Sequence, residues 1–317
     1  MKTPLLALAL GVLGASAASR DPDSNVSTAV VPVASDGARP LAIPTAADRS
    51  GRILAQVFVN GRGPYRFMVD TGANHTALAA SLLPELGISV DPDKNMTVLG
   101  INGSLTAPSV HLDSLDVGGL HMRDMQVPVL AGPVLTGIDG ILGIDGLENR
   151  TMTANFLHDR FVVTGSFGGV PVGDVLVPGR LISQHLLEVD CRVNGVKAKA
   201  VIDTGSPRTL ANWALLKALA RKSGASASSL PTNIIDATEA LQAAVIEPVS
   251  SMKIGSATSG NLYLIFGSFR VFKTWGLEEQ PAVLVGMDVL GSFAEMTIDY
   301  RRKELGLYPR PDMIILK

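Results

Sequence analysis

The same short acidic motif occurs twice in the 317-residue chain, once in each half. Residues 69–73 read Val-Asp-Thr-Gly-Ala and residues 202–206 read Ile-Asp-Thr-Gly-Ser, so Asp70 and Asp203 occupy the same place in the two copies. Two carboxyl groups within about 3 Å of each other cannot both ionise and instead share one proton. Such a pair can act as base and acid in one reaction, activating water and protonating a leaving group, without metal or organic cofactor.

The segment before each motif predicts how its aspartate is positioned. Asn60-Gly61 and Asn194-Gly195 each lie between two apolar stretches. Asn-Gly in that setting favours a type I′ turn, because both residues accept a positive φ. Each copy is therefore predicted to present its aspartate just after the second strand of a hairpin. A helix is expected after each motif, over residues 76–83 and 209–222.

A second shared signature follows further along each copy. Residues 141–147 and 284–290 both read apolar-apolar-Gly-x-Asp-x-Leu. The shared glycine would let a strand pass close behind the aspartate loop, and the shared aspartates, Asp145 and Asp288, are predicted to bind a turn or cap. Because hairpin, acidic motif and glycine strand recur in the same order, the chain is predicted to be a duplication.

Short apolar and β-branched runs separated by Gly, Asn and Pro predict an all-β chain in two lobes. The predicted divisions are a signal peptide at 1–17, a flexible N-terminal segment at 18–48, lobe 1 at 49–163, a linker at 164–180 and lobe 2 at 181–317. The segments at 41–43, 171–177 and 313–316 are expected to form a sheet shared by the lobes.

Composition excludes several classes of function. Lys and Arg number 27 against 29 Asp and Glu, so the basic surface that nucleic acid requires is missing. Cys191 is the single cysteine, which forbids an intramolecular disulfide and a thiolate metal cluster. The histidines show no metal spacing. No later segment offers 18 uninterrupted apolar residues, so no membrane span is predicted once the signal is removed.

The N-terminal residues predict export. Lys2 is followed by an apolar stretch over residues 5–13 and by Ala15-Ser16-Ala17, the pattern of a secretory signal and its cleavage site. Export without disulfides suits a bacterial periplasm or the surrounding medium.

The acidic motifs and the glycine strands resemble those of the aspartic peptidases, and the compact copies are most similar to retropepsin-like domains. The resemblance covers nearly the whole chain after the predicted signal, as two fused copies. It implies a bilobal acid-protease fold in which two homologous β-barrel-like lobes with short helices enclose a central cleft. It also implies that Asp70 and Asp203 are the catalytic pair of an exported aspartic endopeptidase, whose partner is a peptide or protein substrate.

The neighbours of the pair receive supporting roles from the same resemblance. They are Thr71, Gly72, Ala73, Thr204, Gly205 and Ser206. The threonines are expected to bond across to the opposite loop, and the glycines to allow a tight turn and donate N–H groups. The Ser206 hydroxyl is predicted to donate to Asp203, whereas Ala73 cannot do so for Asp70, so that Asp70 would more often carry the shared proton.

A mobile hairpin over the cleft is expected at residues 98–106. Its substrate-binding tip would be formed by Gly100, Ile101, Asn102 and Gly103. Its closure would exclude water and clamp an extended substrate. The corresponding residues of the second copy, 234–239, contain no glycine and are predicted to form a fixed wall.

Two alternatives stay open at this point. The same fold could belong to a two-lobed protein that binds peptides or cell-envelope material without cutting them, because fold alone does not specify catalysis. The chain is expected to be a monomer, although each copy could pair with its counterpart in a swapped homodimer.

Overall fold

The structure, a computed structural model, describes residues 53–158, 160–165, 175–183, 185–223, 229–236 and 238–310, with short strands at 5–7, 11–13, 43–44 and 46–47. Most of the predicted signal and N-terminal segment, and residues 166–174 of the predicted linker, lie outside the described residues. Within the described residues no helix is long and apolar enough to cross a membrane.

The described chain consists mainly of strands, which confirms the predicted all-β class. The strands of the first half are β1 (Leu5–Ala7), β2 (Gly11–Leu13), β3 (Ile43–Pro44), β4 (Ala46–Ala47), β5 (Ile53–Val59), β6 (Arg62–Val69), β7 (Ala77–Ala79), β8 (Asp91–Leu99), β9 (Ser104–Val117), β10 (Leu120–Leu130), β11 (Gly140–Leu142), β12 (Arg150–Asn155) and β13 (Arg160–Gly165). Those of the second half are β14 (Val175–Ile182), β15 (Leu186–Val193), β16 (Val196–Ile202), β17 (Leu210–Asn212), β18 (Leu230–Asp236), β19 (Leu241–Ile254), β20 (Ala257–Gly267), β21 (Ala282–Val285), β22 (Glu295–Asp299) and β23 (Glu304–Tyr308). The helices are α1 (Leu83–Leu86), α2 (Trp213–Ser223), α3 (Arg270–Thr274) and α4 (Met287–Leu290), with 3-10 turns at Ala80–Leu82 and Pro133–Leu135.

Both lobes have the same strand order. Lobe 1 runs β8-β9-β10-β7-β11-β6-β5, and lobe 2 runs β18-β19-β20-β17-β21-β16-β15. Each sheet curls back on itself, because β9 also pairs with β5 and β19 also pairs with β15. The prediction of two homologous, barrel-like lobes is confirmed.

The predicted hairpins before the acidic motifs are present. Asn60 and Gly61 have φ of 48° and 72°, and Asn194 and Gly195 have 46° and 77°, as a type I′ turn requires. The turns join β5 to β6 and β15 to β16, so the two aspartates follow directly after β6 and β16.

A short strand replaces the start of each of the two predicted helices. Ala77–Ala79 and Leu210–Asn212 form β7 and β17, and the helical turns begin only at residues 80 and 213. Every residue of these two strands is buried, between a parallel partner and the antiparallel glycine strand β11 or β21. Tertiary burial overrides helix propensity there, while the Asn212 side chain accepts the Leu215 N–H at 2.9 Å and caps α2.

A six-stranded sheet joins the lobes in the order β14-β23-β22-β12-β13-β3. It contains Ile43 and residues 175–177, as predicted, whereas residues 313–316 lie outside the described residues. The strands β13 and β14 extend into the range predicted as a linker, since they cover residues 164–165 and 175–180. Both lobes therefore contribute strands to one shared sheet.

Candidate active site

Asp70 and Asp203 are placed by equivalent strands of the two lobes. The N–H of Asp70 donates to Leu142 O at 3.0 Å, and the N–H of Asp203 donates to Val285 O at 3.0 Å. Leu142 and Val285 end the glycine strands β11 and β21, which run parallel to β6 and β16. Both aspartates are fully buried, so each lobe delivers one carboxyl group into the space between them.

The two aspartate loops are locked to each other by Thr71 and Thr204. Each threonine N–H donates to the hydroxyl of the other at 3.1 Å. In turn, the Thr71 hydroxyl donates to Ile202 O at 2.8 Å and the Thr204 hydroxyl to Val69 O at 2.7 Å. All four bonds are buried, and loss of any one would leave an unsatisfied polar group. The expected cross-junction contact is present and is reciprocal.

Gly72 and Gly205 donate to the aspartates of their own loops. Each glycine N–H lies 2.8 Å from Oδ1 of Asp70 or Asp203 respectively. A Cβ added to Gly72 would lie 2.7 Å from Cγ of Asp203, and one added to Gly205 would overlap the carboxyl group of Asp70. The loops therefore cross so closely that each glycine leaves room for the opposite aspartate.

The two carboxyl groups are electrostatically coupled. Burial raises the pKa of Asp203 well above its usual range, and the charge of Asp70 and a hydrogen bond with it raise that pKa further. Backbone N–H groups of Gly205 and Ser206 oppose the rise by binding the ionised form. Because the groups interact strongly, the proton belongs to the pair, which titrates as a unit.

Ser206 does not act as the sequence predicts. Its hydroxyl donates to Arg208 O at 2.7 Å, and only its backbone N–H reaches Asp203, at 3.2 Å from Oδ1. The hydroxyl prediction is wrong because the chain turns after Ser206 and brings the Arg208 carbonyl closer. The prediction that Asp70 carries the shared proton therefore loses its basis. Ala73 is buried in an apolar cluster of lobe 1.

The raised pKa of Asp203 predicts how stability depends on pH. In the unfolded chain an aspartate loses its proton near pH 4, whereas folded Asp203 retains it to higher pH. Its contribution to folding is therefore fully present below about pH 4 and is lost as the pH rises through the folded pKa. Asp203→Asn removes this penalty. We expect the variant to unfold at a Tm about 2–4 °C above that of the wild type at pH 7, for a gain on the order of 1 kcal/mol.

Thermal unfolding of both proteins at pH 3.5 and pH 7 measures this difference. Burial also raises the pKa values of Asp145 and Asp288. Both residues are present in the wild type and in the variant, so their contributions to the stability difference cancel. The assignment of a buried, destabilising carboxylate would be contradicted if Asp203→Asn were less stable than the wild type at pH 7 but as stable as the wild type at pH 3.5.

Asp145 and Asp288 hold the acidic loops against the glycine strands. Asp145 accepts from the Thr76 N–H at 2.9 Å and hydroxyl at 2.7 Å, and Asp288 accepts from the Thr209 hydroxyl at 2.7 Å. This is the turn-binding role that the sequence predicts. A Cβ on Gly143 or Gly286 would collide with backbone of the loop in front of it, so the predicted close passage behind each loop is confirmed.

The hairpin predicted over the cleft is formed by β8 and β9, with residues 100–103 at its tip. Ile101 is fully buried there, and its carbonyl accepts the Val271 N–H of α3 at 3.2 Å. The second copy also has a hairpin at this position, β18–β19; that it forms a fixed wall stays a prediction. Its turn needs no glycine because Glu239 adopts a φ of 60°. The two hairpin tips meet.

Two residues near the site were not predicted from sequence. Asp236, at the second hairpin tip, is 1% exposed and binds Asn102 of the first. Tyr300 is fully buried after β22, where burial and then the charge of Asp70 raise the pKa of its phenol. An isolated Asp in a turn and a Tyr after a strand carry no pattern, so neither could be found without the fold.

Among the described residues no group of three or more His, Cys, Asp and Glu side chains is arranged to hold a metal ion. Cys191 lies buried in β15, and burial raises the pKa of its thiol to about 12. A thiol that stays protonated is a poor nucleophile, so Cys191 is a packing residue.

Comparisons with known proteins agree with this geometry. A family model described as aspartyl protease matches residues 55–145 and 189–289, together more than half of the chain. Among solved structures, the aspartic proteinase from Irpex lacteus is similar at a TM-score of 0.55 and 17% identity, covering 86% of this chain and 98% of that one. At that identity the likeness shows a common fold. None of the curated proteins compared matches the chain.

Proposed function

The chain belongs to the aspartyl protease family, and on that premise we propose that it is an exported aspartic endopeptidase with Asp70 and Asp203 as its catalytic pair. The observation that carries the proposal is the coupling of two fully buried carboxyl groups on loops that lock each other in place. Export rests on the signal-like residues 1–17.

The proposed reaction needs one proton on the pair. A water molecule bound between the carboxyl groups gives a proton to the ionised partner and attacks the scissile carbonyl carbon. The protonated partner donates to the carbonyl oxygen, so that a neutral tetrahedral intermediate forms. When the C–N bond breaks, the proton taken from water passes to the departing nitrogen. A hydroxyl group of the intermediate returns its proton to the other carboxylate as the carboxyl product forms, so that the pair again holds one proton.

The supporting residues keep that pair preorganised. Thr71 and Thr204 fix the separation of the loops, and Gly72 and Gly205 bind Oδ1 of each carboxyl group. The backbone N–H groups of Gly205 and Ser206 bind Oδ1 of Asp203, which leaves Oδ2 for the shared proton or for water. Fixed donors of this kind cost no reorganisation during the reaction.

A binding protein would have no use for this arrangement. Burying two carboxyl groups side by side is unfavourable, because each disfavours ionisation of the other. Strongly perturbed titrating pairs in a cleft are typical of catalytic sites. The coupling thus favours the endopeptidase over the non-catalytic alternative.

The surroundings favour an extended, largely apolar substrate. Ala73, beside the catalytic loop, belongs to the same apolar cluster as Val98 of β8 and as Leu130 and Ile138. The outer edge of β8 pairs with β1 and that of β18 with β2. Both partners lie in residues 1–17, so each edge could pair with another extended segment once the proposed signal is removed. A peptide main chain would pair with such strand edges.

Digestion of a peptide library by the purified chain tests the proposal, with and without a statine-type inhibitor. We expect cleavage within extended apolar segments, and strong inhibition because the statine hydroxyl mimics the tetrahedral intermediate. Cleavage that persists at saturating inhibitor, or that is abolished by a metal chelator, would reject an aspartic mechanism.

A further inference from the structure

The tips of the two hairpins are joined through the carboxylate of Asp236. The first tip comprises residues 100–103, and the second comprises Asp236 and residues 238–240. Oδ2 of Asp236 accepts the N–H of Asn102 at 2.6 Å. Oδ1 accepts three donors from its own turn, the Thr238 N–H at 2.9 Å, the Thr238 hydroxyl at 2.6 Å and the Ala240 N–H at 3.2 Å. The two oxygens therefore serve different lobes.

The contact is made from both sides. The Asn102 side-chain amide donates to Ile234 O at 3.2 Å and to Ala240 O at 3.1 Å, both in the second lobe. A Cβ on Gly100 would overlap the Asp236 carboxylate, and one on Gly103 would lie 2.9 Å from Ala240 Cβ. The glycines thus allow the tips to approach until these hydrogen bonds form.

The joined tips are a second junction between the lobes, in addition to the threonine lock beneath the carboxyl pair. Strand β8 of the first hairpin packs in the same apolar cluster as the Asp70 loop, since that cluster contains both Val98 and Ala73. If the chain cleaves peptides as proposed, the substrate lies in the region between the two junctions. A peptide can enter from the side only if the tips separate, and it is enclosed when they rejoin.

We propose that Asp236 is a positioning residue that holds the first hairpin closed over the cleft by binding the Asn102 N–H, so that cleavage proceeds from the latched state. This inference rests on the proposed function for its kinetic consequence but not for the latch itself. Asp236 is 1% exposed, and a buried carboxylate favours the state in which all its donors are present. Closure brings the Asn102 N–H to Oδ2 of Asp236. The donors from the second lobe all bind Oδ1 instead.

The variant Asp236→Asn tests the latch selectively. The remaining side-chain oxygen keeps the three donors of its own turn, and the amide nitrogen then faces the Asn102 N–H, donor against donor. We expect amide hydrogen exchange at residues 100–103 to accelerate about ten- to hundredfold, the range expected for loss of a hydrogen bond to a charged group. We also expect kcat/KM to fall by about tenfold, mainly through KM, with an unchanged pH profile, because the catalytic pair is untouched.

Two further variants make the result specific. Thr238→Val removes a donor from Oδ1 without touching Asn102, so exchange at the first tip should stay within about twofold of the wild type. Asn102→Ala removes the two hydrogen bonds from the Asn102 side chain to Ile234 O and Ala240 O. It should therefore accelerate exchange at the first tip, and it tests the latch even if Asp236→Asn fails to fold.

Unchanged exchange at residues 100–103 in both Asp236→Asn and Asn102→Ala would overturn the latch. Faster exchange with unaltered kcat/KM would overturn its positioning role. If the wild-type chain cleaves no peptide, the proposed function fails, whereas the exchange measurement still confirms or overturns the closed contact.

Discussion

Replacing either aspartate of the pair by asparagine is expected to reduce peptide cleavage by at least about 10⁴-fold in kcat, the size of loss seen when one member of a catalytic unit is removed. Asp70→Asn and Asp203→Asn each leave a side chain of the same shape that can neither take a proton from water nor share one. Because the pair works as a unit, the double variant should be scarcely less active than either single variant. Initial rates on a peptide cut by the wild-type chain measure all three.

The control for this series is Asp113→Asn, which removes a carboxylate whose side chain is 82% exposed. It should cleave at the wild-type rate, because a solvated surface charge interacts only weakly with the buried pair. Residual activity of a few per cent in Asp70→Asn would mean that the residue assists without being essential, and the mechanism proposed above would be wrong. Retained folding, followed by thermal unfolding, separates loss of chemistry from loss of structure.

The sequence predicts the duplicated plan because its signals are local. Asn-Gly turns, acidic motifs and glycine strands each depend on a few adjacent residues and on backbone conformation. Their repetition in the same order then predicts the two lobes, and the common strand order of the lobes confirms it. The aspartates could be located in this way before any coordinates.

Contacts across the lobes are predictable only where a family pattern supplies them. The threonine lock joins residues 133 positions apart, and it was expected only from the resemblance. For the Ser206 hydroxyl the sequence predicts the wrong acceptor, because the Asp203 carboxylate and the Arg208 carbonyl compete for it and sequence does not rank them. The role of Asp236 depends on where a distant turn lies in space. The predicted helices start too early for a related reason, since the burial of β7 and β17 is a property of the sheet.

Replacing either glycine beside the pair by alanine is expected to cause the second large loss of peptide cleavage. Gly72→Ala and Gly205→Ala place a methyl group against the opposite carboxyl group, at 2.7 Å from Cγ of Asp203 in the first case. Neither glycine has a φ in the left-handed region, so the cost comes from space and not from backbone strain. Displacement of a reacting group by about 1 Å costs about 10²-fold in rate. We therefore expect kcat/KM to fall by about 10²- to 10³-fold in either variant.

Gly119→Ala is the matched control, because its added Cβ would meet only Val163 O at an ordinary 3.5 Å. Its kinetics should equal those of the wild type. The two test variants should also narrow the difference in pKa between the members of the pair, since a methyl group that pushes the carboxyl groups apart weakens their coupling. Near-normal kcat/KM in Gly205→Ala would show that the loops can separate without loss of function. The close approach of the two aspartate loops would then matter for folding alone. The rate of peptide cleavage would have to depend on contacts with the substrate and not on loops that hold the carboxyl pair in place.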